Sequence, residues 1–109
     1  MIKMRLHNKP FKLIENGQKI IEIRLNDKKR QLLQVGDVIE FLNRKTYKKI
    51  NVKVIDLLCY NTFDELFKNY DAHDFGCANK NILFNNKYKY YTKEQEARYG
   101  VLGIKIEVI

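Results

Sequence analysis

The stretch from Ile50 to Cys59 constrains this chain most. Apolar side chains fall at 50, 52 and 54, and then at 55, 57 and 59. A strand alternates its side chains between two faces, so an apolar phase that slips by one residue predicts a bulge or sharp bend. Such bends curl a sheet, and the rest of the chain supplies strands to curl with it. Ile2, Met4 and Leu6 alternate with Lys3, Arg5 and His7, which leaves His7 on the polar phase as a surface residue. Lys19 to Leu25 reads as a second strand, with Ile21, Ile23 and Leu25 on one face and Ile20, Glu22 and Arg24 on the other. Val38 to Leu42 follows the turn Val35-Gly36-Asp37 and leads into a basic connection, Asn43 to Lys49. The chain closes with Leu102, Ile104, Ile106 and Val108 alternating with Gly103, Lys105 and Glu107.

Helices fill the gaps. Pro10 suits a first helical turn, Phe11, Leu13 and Ile14 give that helix an apolar side, and Gly17 stops it. Asn26 is placed to cap a short helix running to Leu33. Thr62 and Glu65 have capping-box spacing, and Phe63, Leu66, Phe67 and Tyr70 then form one helical stripe that reads as core. Thr92 and Gln95 make a second capping box, with Gly100 ending the helix. Asp71 to Tyr91 is the least regular stretch, functional or partly ordered by short helices. The order β-α-β-(α)-β-β-α-loop-α-β predicts an α+β fold. Its centre is a small curled sheet or barrel of about five largely antiparallel strands. The middle strands are joined by turns too short for parallel crossovers, which excludes a doubly wound sheet.

With 109 residues, 45% of them hydrophobic, residues 1–109 make one domain with one modest core. No apolar run approaches the roughly 20 residues of a membrane helix. Met1 to Arg5 alternates apolar and basic residues where a signal peptide would be continuously apolar, so a cytoplasmic location is expected. Cys59 and Cys77 are too few for a disulfide framework, and Cys59 reads as a small buried residue near a strand end. His73 and Cys77 lie four apart, but Asp74, Phe75 and Gly76 between them read as a loop. With no second ligand pair, no metal site is assigned.

The charge is uneven. The net charge is +8, and residues 1–30 hold nine basic and three acidic side chains, whereas residues 61–109 hold seven of each. Such asymmetry favours polyanionic partners, above all RNA or DNA. Abundant lysine and asparagine also follow from an AT-rich genome. There is no G-x-S-x-G element and no Gly-rich phosphate loop, and no cofactor is implied. What remains is Gly17-Gln18-Lys19-Ile20-Ile21-Glu22-Ile23-Arg24. Glu22 and Arg24 share a strand face, and Lys19 joins them only if the turn before the strand reorients it. Gathered together, the three suit a planar polar group or a phosphate. An ordinary salt bridge on a barrel rim fits the same spacing.

The segment G-Q-K-I-I-E-I-R resembles the G-x-K-x-x-E-x-R signature of ASCH domains, a branch of the PUA-like barrels. V-G-D-V-I-E-F and R-Y-G-V-L-G-I-K-I also resemble small stand-alone ASCH proteins. The resemblance implies a PUA-like barrel of five to six strands with a cleft at one end, suited to RNA. By carry-over Lys19, Glu22 and Arg24 line that cleft, with Gly17 allowing close approach. Some ASCH relatives are amidohydrolases that deacetylate acetylcytidine with a lysine, a threonine and a glutamate, and others have been ascribed ribonuclease activity. Here Lys19 matches the lysine, Glu22 stands where the threonine nucleophile would be, and Asp71 or Asp74 is the nearest candidate acid. Loss of the hydroxyl removes the nucleophile, leaving a water activated by Glu22 as the hydrolytic alternative.

The leading expectation is therefore a module that binds RNA or a nucleotide-like ligand at Gly17, Lys19, Glu22 and Arg24. Phosphate contacts are expected from Arg5, Lys28, Lys29, Arg30, Arg44, Lys45, Lys48 and Lys49. Stacking faces are expected from Tyr88, Tyr90 and Tyr91, for which partial burial over the barrel is the other reading. The alternative is a hydrolase acting on a modified nucleoside or RNA, which needs Asp71 or Asp74 within reach of Lys19 and Glu22.

Overall fold

The computed structural model describes residues 1–109. Its strands are β1 (Ile2–Leu6), β2 (Ile21–Leu25), β3 (Val38–Asn43), β4 (Lys49–Tyr60) and β5 (Val101–Val108). Its helices are α1 (Asn8–Glu15), α2 (Phe63–Lys68), α3 (Lys80–Asn85) and α4 (Lys93–Tyr99), with single 3-10 turns at Arg30–Leu32 and Ala72–Phe75. The irregular stretch is thus partly ordered by a 3-10 turn and by α3. No helix is long and apolar enough to cross a membrane.

The five strands form one sheet in the order β1-β3-β4-β5-β2. Only β1 and β3 are parallel, and the other three pairings are antiparallel. The sheet is a curled, half-closed barrel of the PUA-like kind, and the bend sits where the apolar phase slips. Val54 opposes Ile106 and Asp56 opposes Lys105, so Ile55 is the extra, bulged residue.

Beyond the bulge the single-face reading fails. Ile55 and Cys59 are exposed, and Leu58 is the residue that turns inward. The reason is that this half of β4 is covered on both sides. Leu57 packs on one apolar cluster and Leu58 belongs to another. The first cluster fills the concave side of the sheet with Met4, Leu6, Phe41, Val52, Leu102 and Ile104, closed by Phe11 and Ile14 of α1. The second lies on the opposite face, where Phe63, Leu66 and Phe67 of α2 and Leu83 of α3 cover Ile21, Leu25 and Val101. The Phe63 stripe is core, as its spacing predicts. Gly103 lets the two layers meet, since a Cβ there would stand 3.0 Å from Leu66 Cδ1.

Three local readings need correction. Strand β2 begins at Ile21, two residues later than expected. The Arg30–Leu32 turn is capped by the Asp27 carboxylate, which accepts from the Arg30 amide at 3.0 Å, and not by Asn26. Thr62 accepts from the Glu65 amide, but the Glu65 side chain does not return the bond, and the neighbouring Phe63 amide donates instead to Glu96 of α4 at 2.8 Å. The Thr92–Gln95 box is complete.

Candidate functional site

The late start of β2 decides where Lys19 goes. The amides of Gln18 and Lys19 both donate to the Leu13 carbonyl at 2.9 Å, folding this segment back on the end of α1. The Ile20 amide then donates to the Asp74 carbonyl and the Ile20 carbonyl accepts from Ile106, each at 2.9 Å. Lys19 is therefore outside the strand alternation and swings to the side of Glu22. Its Nζ meets Glu22 Oε1 at 2.8 Å.

Glu22 stands opposite Ile104 and Arg24 opposite Leu102, so both project from the concave, core-lining face. Arg24 Nη1 donates to Glu22 Oε2 at 2.6 Å, and the Ile23 amide donates to Oε1 at 3.1 Å. Arg24 Nη2 reaches across to the carbonyl of Arg5, also at 3.1 Å. That last bond joins the two edge strands, β2 and β1, which share no ladder. The side chains of Lys19, Glu22 and Arg24 are only 10%, 4% and 14% exposed. Burial pushes the Glu22 carboxyl up, but the Lys19 and Arg24 charges and their hydrogen bonds outweigh it and hold the group below its ordinary range. Burial likewise opposes the charge on Arg24, while Glu22 raises its affinity for the proton. The phenol of Tyr91 stands beside this group, with burial pushing its pKa up and Arg24 pulling it down.

These residues form part of the wall of a cavity of about 750 Å³ at the seam between β1 and β2. That size falls in the ~300–1,000 Å³ range of small-ligand sites. Ten lysine and arginine side chains line it, and Glu22 is its single carboxylate. Phe63, Phe67, Phe75 and Leu83 add apolar surface. At the wall His7 and Tyr90 stack, with ring centroids 5.4 Å apart and planes inclined by 23°. His7 is exposed as expected, yet it also serves as the N-cap residue of α1.

Of the expected phosphate contacts, Arg5, Lys29, Arg30 and Arg44 line the cavity, whereas Lys28, Lys45, Lys48 and Lys49 do not. Lys48 pairs with Glu15 at 2.5 Å and Lys49 with Glu40 at 3.8 Å. Tyr90 and Tyr91 line the cavity, but Tyr88 packs edge-on against Phe63 and donates to Glu96 at 2.9 Å. Neither candidate acid lines it. Asp71 caps the turn at Ala72–Phe75 and pairs with His73 at 3.2 Å, while Asp74 contributes its backbone carbonyl to Ile20.

Gly17 is also absent from the wall. A Cβ there would meet nothing within 4 Å, so its glycine serves the positive φ of 81° that ends α1, not close approach. The glycine that touches the site is Gly76, in a stretch whose sequence reads simply as loop. A Cβ at Gly76 would stand 3.3 Å from Lys19 Cβ and Cδ. Glu96 of α4, buried against the start of α2, is a second such residue. Its only sequence signal is a carboxylate on the helix that follows the second capping box.

The model of the ASCH domain matches residues 4–109. No curated protein matches the chain. Among solved structures, the hypothetical protein PH0355 is similar at 32% identity with a TM-score of 0.85, covering 98% of this chain and 97% of that one. Protein PF0455 from Pyrococcus furiosus is similar at 31% identity with a TM-score of 0.77, covering 99% and 96%. A mutant form of the ZmASCH protein from Zymomonas mobilis shares the fold, at 13% identity and a TM-score of 0.63 over 96% of this chain and 66% of that one.

Proposed function

We propose, for a chain that belongs to the ASCH domain family, that it is a binding module for RNA or a nucleotide-like ligand. The ligand enters the cavity at the β1–β2 seam. The observation that carries this reading is the charge of the wall, ten cationic side chains against the one carboxylate of Glu22. Like charges crowded around a hollow cost free energy that a polyanion relieves. Lys19, Glu22 and Arg24 hold the inner end of the ligand, Arg5, Lys29, Arg30 and Arg44 meet its phosphates, and the Tyr90–His7 stack offers a face to an unpaired base.

The hydrolytic alternative has weaker support. A general base needs a free lone pair and a pKa near the working pH. Glu22 is held by three donors and lies below its ordinary range. Neither Asp71 nor Asp74 supplies an acid to the wall.

The test is binding of single-stranded RNA and of nucleotides by fluorescence anisotropy across a salt series. The expected result is a logarithmic fall of affinity with salt, steepened by the number of phosphates met. Arg24→Ala should weaken binding further. Salt-insensitive or undetectable binding across the whole panel would overturn the proposal.

A further inference from the structure

Lys19 is buried, yet it has spent one of its three N–H donors, on Glu22. The group Lys19, Glu22 and Arg24 carries two positive charges and one negative, so a net positive charge is largely buried, and the cavity wall holds no second carboxylate to balance it. Arg30, in the same wall and close enough to Tyr91 to influence its phenol, has a buried Nε with no hydrogen-bond partner. Uncompensated buried charge and unspent buried donors both cost free energy that a suitable ligand would recover. A neutral base edge would satisfy some donors but leave the charge. A phosphate answers both.

The position of the group says which kind of phosphate. Lys19 and Arg24 lie within the cavity wall, 10% and 14% exposed, not on the outer surface. A continuous backbone lying across the surface presents its diesters outside. A terminal phosphate projects and reaches in. We propose that the inner end of this cavity takes a phosphate monoester, carried either by the end of a nucleic-acid chain or by a free mononucleotide. The inference rests on the nucleotide-binding reading above and names the group that Lys19 receives.

The experiment compares single-stranded RNA oligomers of one sequence bearing a 5′-phosphate, a 3′-phosphate or hydroxyl ends, alongside a nucleoside 5′-monophosphate and its nucleoside. An oligomer with a terminal phosphate should bind about tenfold or more tightly than its hydroxyl twin, as for a charge-assisted contact made on one side only. The preference should fade as pH falls through about 6, where the monoester dianion takes up one proton and becomes a monoanion. Lys19→Met should erase the preference and keep weaker, salt-sensitive binding. The pH arm uses the unaltered protein and stands even if that variant does not fold. Binding of the monophosphate alone identifies a free nucleotide as the carrier, and binding of phosphorylated oligomers alone identifies a chain end. Equal measurable affinity for phosphorylated and hydroxyl oligomers, with no preference for the nucleotide over its nucleoside, would overturn this inference and leave the RNA-binding proposal intact. No binding by any member would remove both.

Discussion

Gly76 lies against the alkyl stem of Lys19, so close that a Cβ on residue 76 would stand 3.3 Å from both Cβ and Cδ of the lysine. The same Cβ would meet Leu13 Cδ1 at 3.0 Å, and the glycine holds φ at +79°. Gly76→Ala is therefore expected to cost about 1–3 kcal/mol through strain and overpacking. It should also displace the Lys19 ammonium and weaken ligand binding. Gly17→Ala meets open space and pays only for its backbone, so it should lower the melting temperature while sparing affinity. Thermal melts and anisotropy on the two variants separate these outcomes.

Glu22 gives a pH signature. Its folded-state carboxyl lies below its ordinary value of 4.5, because the neighbouring cations outweigh the opposing effect of burial. The stability it contributes is present above the unfolded value near 4.5 and is lost as pH falls through that value toward the lower folded one. Glu22→Gln leaves Lys19 and Arg24 without their counter-charge and should cost ~3–5 kcal/mol at pH 7. Urea titrations from pH 7 down to pH 3 should show the two proteins converging at the acid end.

Glu96 ties α4 to α2 by accepting from the Phe63 amide and the Tyr88 hydroxyl. Glu96→Ala strands that amide in an apolar cluster and should cost about 2–3 kcal/mol. Equilibrium unfolding checks this. RNA affinity should change far less than for Arg24→Ala.

The tyrosines divide by role. Tyr90 is 62% exposed and its ring meets His7 and the Lys89 ammonium at the surface, so Tyr90→Ala should leave stability nearly unchanged. It should weaken single-stranded RNA binding by ~1–3 kcal/mol. Tyr88→Phe should do the reverse, lowering stability through the lost bond to Glu96 and leaving affinity alone.

The lysines divide in the same way. Lys48 and Lys49 are each paired with a glutamate outside the cavity wall. Lys48→Ala and Lys49→Ala should barely change the salt slope of RNA binding. Arg5→Ala and Arg44→Ala should each reduce it by about one phosphate's worth.

Much of the fold was legible because it rests on local periodicity. Alternation gave each strand, and the slip between Val54 and Ile55 placed the bulge to the residue. What alternation cannot show is a second cover. It assigned Cys59 inward because it assumed one apolar face, whereas α2 provides another and draws Leu58 in. The site was half legible for a related reason. Glu22 and Arg24 follow from the strand's own period. Lys19 joins them through its own bond to Leu13 and through the bonds of Ile20 to Asp74 and Ile106, the last two far away in the sequence. The aspartates mislead because short-range turn bonds claim Asp71 before any long-range partner can.

The seam between β1 and β2 sets how the molecule can give way. Every other neighbouring pair of strands is zipped by a row of peptide hydrogen bonds, and parting any of them would break several at once. Here one guanidinium reaching to the Arg5 carbonyl is the fastening that bridges the two edges. Widening the hollow for a bulky guest thus breaks no strand ladder, while the curl that shapes it stays pinned at Ile55 on the far strand.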